Sequence, residues 1–480
     1  MRAQGFIFGS NEAQAVTSDQ QRTINWYVEP STNPGATSEA SLYPTPGVTS
    51  LVTADETPGR AHFYQSGREF AVIGPTLYEI DGAGVLTSRG TVGQDENPAT
   101  ISANGDGGNE LWITSNTNGF IFDLTTDTLS QIAAMDGKCT MGDFLEGYFL
   151  ALDGATSTLY ISNLFDGTTW DTGTDFAQRT VGPDPWVAMR VSGRYVWLLG
   201  EKTSEVWYNS GDTFPLAFHP SGFVEYGCLA PWSVQTLEAA IIWLGTSASG
   251  DGRVLRAQGF EPKVLSTPAV EYAINNYDHP DGAQAFTYAE SGHAFYVLSF
   301  DADGATWGLD VQLETAGWAE RGTWKSETGE WVAWRPRWYA RAYGEHRILD
   351  RESGDIYRMG AGEETDVDGR PIRRLRRSPC AMNENKRVFH SRFEVDLEAG
   401  LGDVSGQGAD PQIMMRFSND GGKTWSSERW RSAGKIGEYK HRVFWNRLGS
   451  ARRRVYEVSV TDPIPWRLTA AYVDIEPEAG

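Results

Sequence analysis

The chain has 480 residues and a formal net charge of −22, with 53 glycines, 18 tryptophans and only three cysteines. The cysteines, Cys139, Cys228 and Cys380, are odd in number and contain no CxxC pair, which argues against a disulfide framework and against a zinc site. Many turn-forming residues and many aromatic residues favour an all-β architecture over a helical one.

The negative charge is unevenly distributed along the chain. Residues 365–480 carry 20 Lys and Arg against 16 Asp and Glu, a net +4, and the remainder carries 21 against 47, a net −26. Such a division predicts two regions that face different surroundings. The acidic region is a poor candidate for gripping nucleic acid, because phosphate binding needs clustered Lys and Arg.

Residues 1–47 are rich in Thr, Ser, Asn and Pro, and we expect them to form an extended N-terminal strap. The stretch from Met1 to Phe8 has no apolar region of signal-peptide length, so the protein is expected to fold in a cytosol. The longest apolar run, Ala239 to Leu244, has the length of a strand, and no membrane insertion is expected.

Residues 48–360 contain an internal repeat of paired apolar runs separated by turns rich in Gly, Asn and Asp. The second runs begin at Leu77, Phe120, Leu159, Val206, Val254, Trp307 and Ile356, which gives gaps of 43, 39, 47, 48, 53 and 49 residues. A further short candidate strand precedes each pair, and several pairs are followed by a fourth. Four short antiparallel strands in every roughly 40–50 residues are typical of a propeller blade.

The repeat predicts a β-propeller of seven blades, or of six if the weakest pair, around Arg347–Met359, belongs elsewhere. Because blades pack on both faces, their middle strands should be apolar throughout, as Tyr195–Leu199 is. The last pair has no obvious fourth strand after it, so we expect Val48–Val52 to supply that strand and close the ring. The alternative is a large β-sandwich in which the regular spacing of the apolar runs is accidental.

Residues 361–388 are a break in composition, which we interpret as a linker with a basic cluster. An acidic, turn-rich stretch at 362–369 is followed by Arg373, Arg374, Arg376 and Arg377. One interpretation is a solvated linker whose acidic and basic halves screen each other's charge. The other is a docking surface, in which the four arginines are the candidate contact with an acidic partner.

Residues 389–480 change to alternating apolar and polar runs, such as Phe393–Leu397, which predict a small C-terminal antiparallel β-domain resembling a sandwich. One turn in it matches the Asp-box pattern S-x-D-x-G-x-T-W. We expect a structural hairpin turn whose aspartate binds turn amides and whose tryptophan packs beneath it. The residues of this motif are Ser418, Asp420, Gly422, Thr424 and Trp425.

No catalytic, metal-binding or cofactor-binding motif stands out, so we expect no enzymatic activity, no bound metal and no cofactor. Asp301-Ala302-Asp303-Gly304 hints at a calcium loop but lacks the later ligands, and a solvated hairpin turn is the preferred interpretation. A stretch rich in tryptophan and arginine fits blade packing better than an aromatic surface for sugar or nucleic acid. Its residues are Trp324, Trp331, Trp334, Arg335, Arg337, Trp338 and Arg341.

Two stretches near opposite ends of the chain are specific enough to indicate a family. Ile24–Glu29 (INWYVE) is followed by the Pro-Gly stretch Leu42–Val48, and the C-terminal region contains His441–Gly449 (HRVFWNRLG). With these stretches the chain resembles the phage stabilisation family, also called packaged-DNA stabilisation or tail hub proteins, nearly from end to end. No catalytic residue carries over with the resemblance.

The resemblance implies a virion protein of a phage tail, assembled in the host cytoplasm after DNA packaging. It implies a ring of self-associated copies, a homohexamer, that forms the tail hub or nozzle below the portal and its adaptor. Such a ring continues the DNA channel, retains the genome and carries the tail needle, fibres or tailspikes. The basic cluster would then contact a neighbouring copy or the adaptor. Genomic DNA is expected to pass without tight binding, because like charges repel over about 10 Å.

Two other functions would use a propeller as well. A sialidase-like glycoside hydrolase would explain the Asp box, but the single box lies outside the repeat and no arginine triad with a tyrosine nucleophile is evident. A carbohydrate-binding propeller protein would be expected to carry a secretion signal.

Overall fold

The computed structural model describes residues 2–15, 18–33, 35–36, 38–105, 108–179, 181–246 and 250–477. Strands dominate these ranges, whose single α-helix, α1, is Pro268–Ile274. Short 3-10 helices lie at Ala133–Met135, Pro231–Ser233, Pro280–Gly282, Val311–Gly317 and Val367–Gly369. Within the described ranges, no helix has the length and the apolar character needed to span a bilayer.

Five strands come before the repeat, and the first three blades follow them. The five are β1 (Asn11–Glu12), β2 (Gln20–Ile24), β3 (Trp26–Pro30), β4 (Ala40–Pro44) and β5 (Gly47–Thr53). Blade 1 contains β6 (Gly59–Gln65), β7 (Arg68–Ile73), β8 (Thr76–Ile80) and β9 (Leu86–Thr91). Blade 2 contains β10 (Thr100–Ala103), β11 (Glu110–Ser115), β12 (Asn118–Asp123) and β13 (Thr128–Gln131). Blade 3 contains β14 (Met141–Leu145), β15 (Tyr148–Asp153), β16 (Thr158–Ile161) and β17 (Phe176–Gln178).

Four more blades complete the series, so the described chain forms a propeller of seven sheets. Blade 4 contains β18 (Trp186–Ser192), β19 (Tyr195–Gly200), β20 (Ser204–Asn209) and β21 (Leu216–Val224). Blade 5 contains β22 (Gly227–Cys228), β23 (Gln235–Leu237), β24 (Ala240–Thr246), β25 (Gly252–Gln258) and β26 (Glu261–Val264). Blade 6 contains β27 (Gln284–Glu290), β28 (His293–Phe300), β29 (Ala305–Asp310) and β30 (Trp318–Arg321), and the hairpin β31 (Thr323–Lys325) and β32 (Glu330–Val332) follows it. Blade 7 begins with β33 (Pro336–Ala342), β34 (Glu345–Asp350) and β35 (Asp355–Gly360).

The middle strands of the blades are buried on both faces, as their apolar composition predicts. Every residue of β28 is buried, and β19 is buried except at its first residue, Tyr195. Trp197 of β19 packs near Trp243 of blade 5, with ring centroids 6.1 Å apart. Neighbouring blades therefore share their apolar cores. Because both faces of the second strand of each blade are buried, its sequence is a continuous apolar run.

The propeller closes through a strand from the start of the chain. Strand β5 pairs antiparallel with β35 of blade 7, with Val52 opposite Ile356 and Val48 opposite Met359. The predicted closing strand is therefore present, and it contributes the outermost strand of the last blade. Closure of this kind pairs the outer side of β35 and joins the last blade to the start of the chain.

The C-terminal region adds nine strands that build a two-sheet sandwich. They are β36 (Arg374–Arg377), β37 (Ala381–Met382), β38 (Val388–Leu397), β39 (Gln412–Ser418), β40 (Arg429–Ser432), β41 (Val443–Asn446), β42 (Ser450–Ala451), β43 (Arg453–Val460) and β44 (Leu468–Pro477). One sheet has the order β2-β36-β43-β39-β40 and the other β3-β4-β44-β38-β41. The core between them includes Phe393, Tyr456 and Trp466.

The interpretation of residues 1–47 as a strap alone needs correction, because their strands belong to both domains. Strand β2 pairs with β30 of blade 6 on one side and with β36 on the other, so blade 6 and the sandwich share one continuous sheet. Phe6, Trp26 and Leu42 lie in the core of the sandwich. The N-terminal segment thus supplies structural strands rather than a peripheral tail.

Residues 361–388 are likewise not a free linker. Arg374–Arg377 form strand β36 in the middle of a sheet, between β2 and β43. The acidic stretch before them is also held, because the amides of Gly47 and Val48 donate hydrogen bonds to the carbonyls of Glu363 and Thr365 at 3.0 and 2.8 Å. The solvated-linker interpretation is therefore wrong for these parts of the segment.

Candidate functional site

The propeller has a central channel, formed by the inner strands of all seven blades, with a cavity of about 660 Å³. Asp143, Arg190 and Gln235 contribute to its polar lining. Burial raises the pKa of the Asp143 carboxyl, whose Oδ2 accepts a hydrogen bond of 2.8 Å from the Val191 amide. The volume is that of a small-molecule pocket. The channel of one propeller is therefore too small to hold a DNA duplex.

A buried polar network joins the first blade to the last. Glu69 and Arg347 both have fully buried side chains, and Arg347 Nη1 lies 2.6 Å from Glu69 Oε2. His62 Nε2 lies 2.7 Å from the other oxygen of Glu69, and His62 Nδ1 lies 3.0 Å from the Trp338 carbonyl of blade 7. The junction at which the ring closes is thus held by charge pairing as well as by the strand β5.

The Asp box forms the turn that its sequence predicts. Asp420 Oδ1 accepts hydrogen bonds from the amides of Lys423 and Thr424 at 3.0 and 2.9 Å, and the Thr424 hydroxyl donates to Oδ2 at 2.6 Å. Hydrogen bonds from the Thr424 and Ser418 hydroxyls are the largest influences that hold the pKa of Asp420 well below its usual range. All of these partners lie within the turn itself, so the site positions backbone rather than substrate.

The tryptophan of the Asp box is not a core residue. Trp425 is only half-buried. The guanidinium carbons of Arg377 and Arg416 lie 4.9 and 4.7 Å from its ring centroid. The ring is therefore stabilised by two cation–π contacts, each worth about 0.5–1 kcal/mol at exposed sites, rather than by packing in the apolar core.

Two arginines of the basic cluster are buried inside the protein. Arg374 and Arg376 are 2% and 0% exposed. Arg376 donates to the carbonyls of Phe6 and Gly5 at 2.5 and 2.6 Å, to Gln21 Oε1 at 2.6 Å and to the Thr23 hydroxyl at 2.8 Å. Burial lowers the pKa of Arg376 to about 9. The guanidinium stays charged at neutral pH and fixes the N-terminal segment to β36.

The remaining two arginines of the cluster are partly accessible. Arg373 pairs with Glu428 at 3.1 Å and lies over the Trp324 ring at 4.3 Å. Arg377 pairs with Glu457 at 2.9 Å. The prediction of a contact surface is wrong for Arg374 and Arg376, because buried side chains cannot meet a partner, and for Arg373 and Arg377 it stays a prediction.

A second anchor of the N-terminal segment centres on a histidine that sequence reasoning missed. His293 Nδ1 lies 2.6 Å from Asp310 Oδ2, and its Nε2 lies 2.7 Å from Glu29 Oε2 in strand β3. Burial opposes the charge of His293, but hydrogen bonds to Asp310 and Glu29 outweigh it, and the pKa of the imidazole is raised. The three residues are far apart in sequence, so no local pattern could have revealed the cluster.

The other sequence candidates are structural. Asp301 pairs with Arg337 at 2.5 Å and with Arg351 at 3.0 Å, and Asp303 accepts a hydrogen bond of 2.8 Å from the Asp278 amide. In the described ranges, no group of three or more His, Cys, Asp or Glu residues is arranged to hold a metal ion. The carboxylates of the Asp301–Gly304 turn thus bind groups of the protein itself.

The tryptophan- and arginine-rich stretch is divided between core and surface. Trp334 is buried, and the guanidinium carbon of Arg321 lies 3.9 Å from its ring centroid. Trp324 and Trp331 contact each other edge to face at 5.2 Å in the hairpin that follows blade 6. These contacts agree with packing, so the stretch does not form one continuous aromatic surface.

Comparison with known families decides what kind of protein this is. A family model described as the β-propeller of Bacteriophage P22 Gp10 matches residues 7–361, and one described as the β-sandwich of the same protein matches residues 373–476. The chain belongs to the phage stabilisation family. Membership confirms the predicted propeller with a C-terminal sandwich, and it makes the chain a structural component of a phage virion with a role in the tail.

Comparisons outside the family add little. No curated protein matches the chain. A streptogramin B lyase structure aligns at a TM-score of 0.44 and 8% identity, over 66% of this chain and 98% of that one. Virginiamycin B lyase from Staphylococcus aureus aligns at 0.43 and 11%, over 65% and 98%. PorZ of Porphyromonas gingivalis aligns at 0.37 and 11%, over 72% and 44%. Scores and identities this low carry no functional argument for a member of the phage stabilisation family.

Proposed function

We propose that this protein forms the tail hub, or nozzle, of its phage: a homohexameric ring below the portal and its adaptor. The ring retains the packaged DNA and forms the channel through which the DNA is ejected. The observation that carries the proposal is the match of both domains to the family described for Bacteriophage P22 Gp10, over residues 7–361 and 373–476.

The way the two domains are joined supports a role in which the subunit resists mechanical force. Strand β2 is hydrogen-bonded to both β30 and β36, so that propeller and sandwich share an eleven-stranded sheet. Arg376 and His293 anchor the N-terminal segment to the sandwich and to blade 6. A subunit whose domains are joined by a sheet keeps its shape under force better than one with a flexible linker.

The dimensions of the propeller favour a DNA path outside it. Its central cavity of about 660 Å³ is too small for a duplex. In the proposed ring, the channel for DNA lies between copies arranged around an axis. The net charge of −26 outside residues 365–480 favours passage without tight binding, because like charges repel within about a Debye length.

Partners of such a ring are other virion proteins. The adaptor below the portal, the tail needle, and fibres or tailspikes are the proposed neighbours, and assembly takes place in the host cytoplasm. Arg373 and Arg377 remain candidate contacts, because both are at the surface of the sandwich sheet although each is paired with a carboxylate.

No catalytic activity is part of the proposal. The His293 cluster has two carboxylates but no nucleophile among its contacts, and Asp420 is occupied by its own turn. We therefore expect no hydrolysis of sialosides, other glycosides or peptides. A saturable turnover that one point substitution abolishes would contradict this expectation.

The decisive experiment is electron microscopy of the purified protein and of tails that contain it. We expect rings with sixfold symmetry and a central opening wide enough for duplex DNA. Particles assembled without the protein should lose their packaged DNA, and adding the purified protein back should restore retention. Rings of another symmetry would refute the hexamer, and full DNA retention in its absence would refute the proposed role.

A further inference from the structure

The edge of the sandwich carries a concentration of cations that the rest of the chain lacks. Residues 423–453 contain nine Lys and Arg against two Asp and Glu, a net +7, and the remaining residues contain 32 against 61, a net −29. Eight of the nine cations are exposed and have no carboxylate partner among the described residues. We call these eight the basic edge: Lys423, Arg429, Arg431, Lys435, Lys440, Arg447, Arg452 and Arg453.

The basic edge differs from several exposed arginines elsewhere in this protein. Arg194, Arg358 and Arg467 all have exposed side chains, and each is paired with a carboxylate of its own chain, at 2.5, 3.1 and 2.7 Å. Arg431 instead donates only to the backbone carbonyls of Phe444 and Trp430. Its charge is left without a counter-charge, and an acidic surface from outside the chain would supply one.

Apolar side chains stand among these cations. Trp430, Ile436 and Tyr439 are 53%, 55% and 74% exposed. Trp430 lies between Arg429 and Arg431 on strand β40, which is the last strand of its sheet, and Ile436 and Tyr439 lie in the loop that leads to β41. Arginine with large aromatic residues is the composition of a protein interface more than of a solvated face.

The opposite charge is presented at one end of the propeller. In each blade the turn between the second and third strands and the connection to the next blade lie at the same end of the ring. Eight exposed acidic residues in these segments have no cation partner among the described residues, against three unpaired lysines there, Lys138, Lys202 and Lys325. We call the eight the acidic end: Asp55, Glu96, Asp136, Glu201, Glu225, Asp278, Asp281 and Glu330.

The two surfaces do not pair with each other inside one chain. We propose that the basic edge of one copy binds the acidic end of the propeller of the next copy. A contact between two different surfaces of identical chains is head-to-tail, and it closes a ring when its rotation fits. This inference rests on the ring proposed above and names the surfaces that build it, in place of the buried arginines Arg374 and Arg376.

Charge-reversal variants test the contact directly. The edge variant is Arg429→Glu with Arg431→Glu and Lys440→Glu. The end variant is Glu201→Lys with Glu225→Lys and Asp278→Lys. The control variant reverses three paired, exposed arginines: Arg194→Glu, Arg358→Glu and Arg467→Glu. Edge and control variants undergo the same change in net charge, so a general electrostatic effect would appear in both.

Sedimentation at several salt concentrations measures the assembly. We expect the wild type and the control variant to assemble at low salt and to dissociate as salt rises, because salt screens charge pairs. We expect the edge variant and the end variant to stay monomeric when each is alone. Mixed in equal amounts they should assemble again, because each edge then meets an end of opposite charge, and the rings should contain an even number of alternating copies.

The possible failures have different meanings. An edge variant that assembles like the wild type overturns the contact but leaves the ring intact. A mixture that stays monomeric also overturns the contact, since both variants would then have been damaged for another reason. A wild type that forms no assembly at any salt concentration, alone or in tails, refutes the ring itself. Loss of duplex DNA binding by the edge variant, with normal assembly, would make the basic edge a nucleic-acid site instead.

Discussion

Replacing Arg376 with methionine should destabilise the whole protein, not only its N-terminal segment. The side chain makes four hydrogen bonds shorter than 3 Å to residues 5–23, and methionine keeps an unbranched apolar stem without any donor. Hydrogen bonds to a charged group contribute about 1.5–3 kcal/mol each, which the cost of burying the charge offsets in part. We expect Arg376→Met to lower the free energy of unfolding by about 3–5 kcal/mol.

Urea unfolding followed by tryptophan fluorescence measures this loss, and Trp26 lies in the core that the N-terminal segment completes. Limited proteolysis should also cut the variant within residues 1–47 earlier than the wild type. The matched control is Arg194→Met, whose side chain is 81% exposed and should change stability by less than about 0.5 kcal/mol. Equal stability of the two variants would refute the anchoring role. Reversing all four arginines of the basic cluster should then unfold the protein rather than only block assembly.

Three further predictions concern other contacts of the fold. Protonated His293, whose pKa is raised, stabilises the fold below the ordinary pKa of histidine, and this contribution should vanish as the pH rises through the raised pKa. The melting curves of the wild type and of His293→Phe should therefore converge at high pH. Asp420→Ala should lower the melting temperature, and the difference from the wild type should disappear in strong acid. Trp425→Ala should lower the free energy of unfolding by only about 1–2 kcal/mol. Loss of an activity by either variant at an unchanged melting temperature would contradict a structural Asp box. Deleting residues 1–55 removes β5 and three sandwich strands, and a deletion protein that melts like the full chain would show that closure is dispensable.

The propeller could be predicted because its signal is local and repeated. Each blade carries its strands and turns within about 50 residues, and a buried second strand such as β19 stands out by its apolar residues. The closing strand Val48–Val52 could be inferred because blade 7 lacked a fourth strand of its own. The places of β2 and β4 in the sandwich sheets could not be predicted, because their partners β36 and β44 lie hundreds of residues away.

The sites were harder to predict than the fold. Arg376 appears in the sequence as one of several neighbouring cations, and only the carbonyls of residues 5 and 6 around it show that it is internal. The Asp box places Trp425 beneath a turn but does not say whether the ring reaches the core, and the two arginines beside it hold it at the surface. The Asp420 contacts could be predicted, since they are confined to residues 418–424 of one turn.

The participation of the first strands in both domains has a consequence for synthesis. Strand β5 leaves the ribosome before any blade exists, yet its partner β35 is made some 300 residues later. Trp26 and Leu42 pack in a core that needs sandwich strands made later still, and the last of these strands ends at residue 477. The earliest part of the chain therefore lacks its distant partners until the latest part is made, as is common for folds with many distant contacts. A chain whose translation stops before residue 355 cannot close the propeller, and one that stops before residue 468 cannot complete the sandwich.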